Sequence, residues 1–192
     1  MRAARTLETA AWLALYGGIL IFLFTWNSAS PMYDAIFRDR SAADWFPGVT
    51  RAYEPGTLIN GAEPSPYFAG GWWRPEPEFR WGRHARNDIV IEPTEEFPAG
   101  SRIVFHIGVS RPRGVIEQTV DVIVNGSPLA QVVAGDDKRR FEILLPFALP
   151  PREPATISFV PQAAKSPLSQ GHGLDMRELG VRFHDLVVLP KP

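Results

Sequence analysis

A long apolar run near the N-terminus constrains this chain more than any other feature of its sequence. It extends from Leu7 to Trp26, and from Thr9 onward it contains no charged residue. In a helix, about 20 residues rise about 30 Å, which matches the hydrocarbon core of a bilayer. Arg2 and Arg5 precede the run, and basic flanks stay on the cytoplasmic side of a membrane. We therefore predict a cytoplasmic N-terminus at residues 1–6 and a transmembrane helix at residues 7–26.

Three aromatic residues of this run suit contact with a membrane interface or a partner: Trp12, Tyr16 and Trp26. The rest of the chain then lies on the periplasmic face of a bacterial inner membrane. The alternative is a cleaved signal peptide, which has the same basic start and apolar stretch. Cleavage near Asn27 is disfavoured, because Trp26 or Asn27 would fill the upstream recognition position or Pro31 would follow the cut. We favour the uncleaved, single-pass anchor.

A proline-rich segment, residues 27–70, connects the anchor to the first predicted strand. Proline at this density interrupts regular structure, so most of the connector is expected to be extended. Its large apolar residues, Phe37 and Trp45 among them, are unusual in a flexible linker. Two interpretations stay open: an amphipathic helix from Met32 to Phe46 on the membrane surface, or side chains packed beneath the following domain. Phe37 and Trp45 are thus further candidates for anchoring to membrane or partner.

Residues 71–192 contain short β-rich runs separated by turn signals, and 19 prolines and 16 glycines in the chain agree with many turns. Asn125-Gly126 signals a tight hairpin. The absence of a helical pattern predicts an all-β jelly-roll or β-sandwich domain. The predicted strands are Asp88–Ile91, Arg102–Val109, Gln118–Val124, Leu129–Val133, Arg139–Leu145, Ala155–Val160 and Val181–Leu189.

Composition and spacing argue against several classes of function. A net charge of -1 offers nothing to attract nucleic acid, and the lack of cysteine excludes thiolate metal sites and cysteine nucleophiles. The four histidines lack metal-ligand spacing. Ser169, His172 and Asp175 form no recognised catalytic motif, and the nearby acids Glu76 and Glu78 have no assignable separation. We predict no catalytic centre, cofactor or metal.

An aromatic cluster beside charged residues is the one candidate surface for a ligand or partner: Trp72, Trp73, Arg74, Glu76 and Trp81. Flat apolar rings next to hydrogen-bonding groups suit a sugar ring or a protein anchor site. The competing interpretation is that some of the tryptophans belong to the core. Asp175 and Arg177 could similarly form a buried ion pair that holds the last strand.

Three segments carry a family resemblance: GWWRPEPEFRWGRHARNDIVIE at 71–92, VDVIVNGSPL at 120–129 and GLDMRELGVRFHDLVVL at 173–189. In this order they resemble a β-sandwich domain attached to bacterial membrane proteins of surface-polysaccharide synthesis. The resemblance implies a galactose-binding-like jelly roll of the kind found in carbohydrate-binding modules. No glycosyltransferase domain or multi-span region accompanies it here, so we expect an accessory domain on its own anchor.

Three functions follow as hypotheses. The first is a non-catalytic accessory subunit of an integral-membrane complex, whether photosynthetic, respiratory or polysaccharide-synthesising, embedded in the lipid bilayer. The second is a membrane-anchored protein that binds a glycan during polysaccharide synthesis or export, which rests on resemblance of fold. The third, a tethered hydrolase, would require a nucleophile and a base that converge in a cleft.

Overall fold

The computed structural model describes residues 50–83, 86–110, 117–171, 173–175 and 177–191. This part of the chain is an all-β sandwich of two sheets, which confirms the predicted jelly-roll or β-sandwich class in outline. The strands are β1 (Ala52–Tyr53), β2 (Ile59–Asn60), β3 (Phe68–Gly70), β4 (Trp72–Pro75), β5 (Arg80–Gly82), β6 (Asn87–Pro93), β7 (Arg102–Val109), β8 (Gln118–Val124), β9 (Ser127–Ala134), β10 (Arg139–Leu144), β11 (Ala155–Pro161) and β12 (Val181–Leu189). One 3-10 helix, Leu168–Gln170, precedes β12.

The predicted membrane span lies outside the described residues, as do the anchoring candidates Trp12, Tyr16, Trp26, Phe37 and Trp45. Between residue 50 and the C-terminal strand, none of the described residues forms a helix with the length and apolar character to cross a bilayer. The anchor, its orientation and the periplasmic location therefore stay predictions.

Two six-stranded sheets face each other. The first has the order β1-β6-β11-β8-β9, with β3 also paired to β6, and the second has the order β10-β7-β12-β5-β4, with β2 also paired to β12. Strand β1 runs parallel to β6, whereas the other pairings are antiparallel. Strand β12 thus lies inside the second sheet, where its backbone is held from both sides.

All seven predicted strands are present; three have the predicted bounds, and the other four differ from them by one or two residues at one or both ends. Alternation explains this agreement. In β6 and β8, every second side chain is buried and the others are partly exposed, the pattern of a strand with one face on the core.

The sandwich begins earlier than the predicted boundary at residue 71, because β1, β2 and β3 lie in the stretch assigned to the connector. Tyr53 and Phe68 are buried at 0% and 1% exposure. Pro55 follows β1, and Pro64 and Pro66 lie between β2 and β3. Proline is tolerated beside short strands, where no ladder hydrogen bond is lost. Residues 50–70 therefore belong to the domain.

Tyr53 joins the two sheets. Its carbonyl accepts a hydrogen bond from Thr94 N at 3.0 Å, just beyond β6. Its hydroxyl accepts one from Val188 N in β12 at 2.8 Å and donates to the Thr57 carbonyl at 2.6 Å. Burial raises the pKa of Tyr53 to about 12, so the hydroxyl keeps its proton and its donor role.

Aromatic rings fill the interior between the sheets. The Trp72 ring lies 5.4 Å from both Phe68 and Phe183, in edge-to-face geometry. Arg80 enters this core at 0% exposure, with its guanidinium carbon 3.9 Å from the centre of the Phe68 ring. It donates to the carbonyl oxygens of Glu63 at 3.0 Å and Gly61 at 3.4 Å. The core thus contains a charged side chain that tethers the loop after β2.

The predicted hairpin at Asn125-Gly126 is confirmed. Both residues have positive φ, 50° and 80°, as a two-residue type I′ turn requires. Asn125 also binds the neighbouring strand, because its Oδ1 accepts from Thr156 N at 2.8 Å and its own N donates to the Thr156 carbonyl at 2.9 Å. The turn is therefore anchored to β11 as well as to its own hairpin.

Replacing Gly126 with valine should lower the free energy of unfolding by about 1 kcal/mol or more, because a β-branched residue resists positive φ. No atom lies within 4 Å of a Cβ built at Gly126, so the cost is in the backbone alone. Urea denaturation of the two proteins measures it. Gly126→Asn is the matched control, since asparagine tolerates this conformation. Equal stability of all three proteins would contradict the proposed role of the turn.

Candidate functional site

Trp72 and Trp73, named as candidates for a ligand surface, point into the protein. They are adjacent in β4 and exposed by only 2% and 3%. The Trp72 indole N–H donates to the Asp88 carbonyl at 2.8 Å, and that of Trp73 donates to the Glu178 carbonyl at 2.9 Å. Buried indoles need such partners. The core interpretation therefore describes these two residues, which present no ring face to a ligand.

Arg74 is exposed on β4. Glu76, which follows β4, belongs to a cluster of ion pairs. Arg177 binds Glu76 at 3.0 Å and Asp175 at 2.8 Å. Hydrogen bonding to Asp175 raises the pKa of Arg177. Partial burial opposes ionisation of Asp175, but its bonds with Arg177 outweigh this and lower its pKa. The Asp175–Arg177 pair considered from the sequence is present, partly buried, and fastens the last segment to β4.

Trp81 lies apart from the other two tryptophans, on the outer face of the second sheet. Its partly exposed ring meets the edge of Phe79 at 5.4 Å and 81°. Arg182 of β12 is its neighbour in the register. The Arg182 guanidinium carbon lies 5.4 Å from the Phe79 ring and 5.9 Å from the Trp81 ring, within cation–π range. One arginine and two aromatic rings thus form a single surface.

This surface borders an open cleft of about 330 Å³. Its lining is mainly apolar, with polar groups from separate parts of the chain. Ser110 follows β7, Asp136 lies between β9 and β10, Gln170 ends the 3-10 helix and Leu179 precedes β12. Apolar walls with a few convergent polar groups are the usual composition of a ligand site. We take this cleft, rather than the Trp72-Trp73 pair, as the candidate site.

Gly108 in β7 makes room for Arg182. The two residues are paired across the sheet, and a Cβ built at Gly108 would come within 3.0 Å of an Arg182 terminal nitrogen and 2.8 Å of the Asp137 carbonyl oxygen. A side chain at position 108 would therefore displace the guanidinium. Glycine inside a strand often marks such a close approach.

The histidines that the structure describes have structural partners. His106 Nδ1 contacts Asp185 Oδ1 at 2.5 Å, and Lys138 contacts the other oxygen at 3.0 Å. His184 donates its Nδ1–H to the Glu78 carbonyl at 3.1 Å. Burial, with the charges of Lys138 and Arg182, lowers the pKa of His184, so the ring is neutral at pH 7. His84 and His172 lie outside the described residues.

Two of the side chains considered for catalysis from the sequence have partners elsewhere in the structure. Ser169 donates its hydroxyl hydrogen to the Ser166 carbonyl at 2.8 Å, while Asp175 is engaged by Arg177. Among the residues that the structure describes between 50 and 191, no three histidine or acidic side chains group as metal ligands would.

Sequence reasoning named Trp81 but missed its neighbours Ser110, Asp136, Gln170 and Arg182. The sequence contained one signal for Arg182. Alternation along β12 places it on the face opposite the buried Val181 and Phe183, and so indicates that it faces outward. Its position beside Trp81 depends on the pairing of β5 with β12. That pairing joins segments about 100 residues apart and is not visible in local patterns.

We found no family model and no curated protein that matches the sequence. Among solved structures, the mosquito-larvicidal Cry4Aa toxin from Bacillus thuringiensis is 9% identical with a TM-score of 0.43, over 74% of this chain and 25% of the toxin. The module CsCBM6-3 from Clostridium stercorarium in complex with cellobiose is 11% identical with a TM-score of 0.39, over 75% of this chain and 99% of the module. The GH26-CBM35 β-(1,4)-mannanase from Podospora anserina is 7% identical with a TM-score of 0.43, over 73% of this chain and 28% of the enzyme.

This chain therefore matches less than a third of the toxin and of the mannanase. At these TM-scores none of the likenesses bears on function, and the resemblance to proteins of polysaccharide synthesis stays a prediction. The functional case rests on the residues of the cleft.

Proposed function

We propose that the protein binds a glycan in the cleft beside Trp81 and is held on the periplasmic face of a bacterial inner membrane by residues 7–26. The observation that carries the proposal is the convergence of a partly exposed indole with Arg182, Asp136 and Gln170 around one cleft. A sugar ring has an apolar face of C–H groups and a polar rim of hydroxyls. An aromatic surface with hydrogen-bonding neighbours matches both.

Neighbouring residues fix the aromatic rings beside the cleft in position. Phe79 packs edge-on against Trp81, and Trp81 is in register with Arg182 on an internal strand. Rings fixed in this way lose little conformational freedom when a ligand binds. A volume of about 330 Å³ lies at the lower end of the range for ligand sites. It suits a short stretch of a glycan.

The number of carboxylates at the cleft favours binding over hydrolysis. Asp136 is the one carboxylate among the described residues that line it. Glycosidic bond hydrolysis ordinarily uses two carboxyl groups on opposite sides of the bond. In the proposed function Asp136 accepts hydrogen bonds from sugar hydroxyls, and no bond is broken.

Trp81→Ala should weaken glycan binding by about tenfold or more, as truncation of an aromatic anchor commonly does. The full-length protein, in nanodiscs, is screened on a glycan array, and its affinity for the best ligand is then measured by calorimetry. Trp81→Phe should retain part of the affinity, because a smaller ring remains. Leu144→Ala is the matched control, since Leu144 is 63% exposed and lies outside the cleft. Unchanged affinity in Trp81→Ala would contradict the proposed site.

A second candidate is the accessory-subunit role, favoured by the apolar run at residues 7–26 and by apolar side chains on the outer face of the second sheet. Leu144 and Leu189 flank Arg102 in the register of β10, β7 and β12. Exposed apolar groups of this kind can be covered by a neighbouring protein. The host would be a photosynthetic, respiratory or polysaccharide-synthesising complex.

Exchange of residues 7–26 for an unrelated apolar span tests this second role, because helices in lipid associate through specific close packing. If the protein is a subunit, the exchanged variant should no longer co-purify with its partners from native membranes in mild detergent. Phe37→Ala with Trp45→Ala should act in the same direction. Glycan affinity should be unchanged in both variants. Full retention of the partners would exclude an anchor-dependent subunit role.

A further inference from the structure

Among the described residues near the cleft, Arg182 differs from Arg177 and Arg139 because it has no carboxylate partner. Arg177 binds Glu76 and Asp175, and Arg139 binds Asp137 and Glu117. Arg182, by contrast, makes ring contacts but no hydrogen bond or ion pair with any residue that the structure describes, and its Nε is buried. Buried N–H donors in proteins are nearly always paired. The chain thus leaves the donors of a partly buried guanidinium unused at the wall of a cleft.

The position of Arg182 is fixed before any ligand arrives. Strand β12 is internal to its sheet, Gly108 provides the space under the guanidinium, and Phe79 and Trp81 flank it. A planar guanidinium held in this way binds a matching planar group at a small cost in conformational entropy. The arrangement is that of a site for an anion.

The charges around Arg182 limit which anion fits. Hydrogen bonds from Arg139, and to a smaller degree the charge of Arg182, lower the pKa of Asp137. Its charge is thus balanced by Arg139. Asp136 lies on the cleft wall. A carboxylate on a sugar offers two oxygens to the Arg182 guanidinium and leaves the sugar hydroxyl groups for the other polar groups of the cleft.

We propose that the cleft selects an acidic sugar, whose carboxylate accepts paired hydrogen bonds from the Arg182 guanidinium while its ring lies against Trp81. This inference rests on the proposed glycan binding and specifies its ligand class. A guanidinium and a carboxylate can form two parallel hydrogen bonds, a bidentate pair. The carboxylate belongs either to a uronic acid or to a pyruvate ketal on a neutral sugar, and both have the same chemistry at Arg182.

The test compares ligands that differ in the carboxylate alone. Full-length protein in nanodiscs is titrated with a glucuronic acid oligosaccharide, with its carboxyl-reduced neutral counterpart, and with a pyruvylated oligosaccharide and its depyruvylated form. We expect at least one acidic member to bind roughly tenfold or more tightly than its neutral partner, as a charge-assisted hydrogen bond provides. Which pair shows the preference distinguishes the two carboxylate sources.

Arg182→Gln should abolish this preference, because glutamine cannot form the paired, charge-assisted hydrogen bonds to the carboxylate. Arg182→Lys, which keeps the charge but loses the fork, should retain an intermediate preference. Gly108→Ala should also reduce it by displacing the guanidinium. Arg140→Gln is the matched control, because Arg140 is an exposed arginine of the same sheet that already binds Glu142 at 2.6 Å. Thermal unfolding of each variant establishes that it is folded.

Two results would separate failure of this inference from failure of the proposed function. Equal, Trp81-dependent affinity for acidic and neutral ligands would overturn acid selection while leaving glycan binding intact. An acid preference that survives in Arg182→Gln would also overturn the role of Arg182. Absence of binding to every glycan tested would overturn both proposals.

Discussion

Truncation of Trp72 to alanine should lower the free energy of unfolding by about 3–5 kcal/mol, the usual cost of emptying an aromatic site in a core. The indole contacts Phe68 and Phe183 on two sides, and its N–H satisfies the Asp88 carbonyl. The variant loses these ring contacts and leaves a cavity between the sheets. Chemical denaturation of the full-length protein, followed by near-ultraviolet circular dichroism, measures the change.

The matched comparison is Trp81→Ala, which removes the same side chain from the outer face. It should cost much less stability but weaken glycan binding by about tenfold or more. Trp72→Phe should keep part of the core packing and recover part of the lost stability. Equal destabilisation by Trp72→Ala and Trp81→Ala would contradict the separation of core and cleft tryptophans.

Replacement of Arg80 with alanine is the second change with a large expected effect, a loss of about 2–5 kcal/mol. The side chain is fully buried over Phe68, and its donors bind the carbonyls of Gly61 and Glu63. Truncation removes the packing and leaves those carbonyl groups without a donor. Burial lowers the pKa of Arg80 to about 9, so the wild-type residue is still protonated at pH 7.

Arg80→Met separates packing from charge. Methionine fills most of the volume and removes the cost of keeping a cation away from water, which offsets the lost hydrogen bonds. We expect it to be clearly more stable than Arg80→Ala in urea denaturation. Equal losses in the two variants would show that the hydrogen bonds to the loop after β2, and not the packing, carry the effect.

The second half of the fold could be predicted because its strands are long and half-buried. In β8, for example, Val120, Val122 and Val124 face the core while Asp121 and Ile123 face outward, and such alternation has one structural interpretation. The glycine after Asn125 likewise specified its hairpin. Local chemistry and tertiary structure agree in these segments.

The first five strands could not be predicted in the same way. Strands β1 and β2 contain two residues each, too few to show a period. In β4, Trp72 and Trp73 are both buried although they are adjacent, so alternation fails there. Rules based on residue type predict that an arginine such as Arg80 is exposed to solvent. Only the tertiary arrangement, with carbonyl acceptors in the loop after β2, makes its burial favourable.

Of the residues at the candidate site, the sequence analysis identified one, Trp81. Trp81 carries a local signal, being an aromatic residue among charged ones, and its strand neighbours Arg80 and Gly82 are buried. Ser110, Asp136 and Gln170 are ordinary loop residues in the sequence. They become meaningful only when the sheet order brings three separate connections to the end of the same strands.

The way Tyr53 joins the sheets has a mechanical consequence for a chain pulled at its N-terminal side. Tension entering at residue 50 first loads Arg51 and β1. The Arg51 carbonyl accepts a hydrogen bond from Glu92 N of β6 at 2.8 Å, and the Tyr53 carbonyl accepts one from Thr94 N, just after β6, at 3.0 Å. The Tyr53 hydroxyl passes part of that force to Val188 in the opposite sheet. The load is therefore shared across the sandwich, and detaching the leading strand requires rupture of bonds in both layers instead of the peeling of one edge.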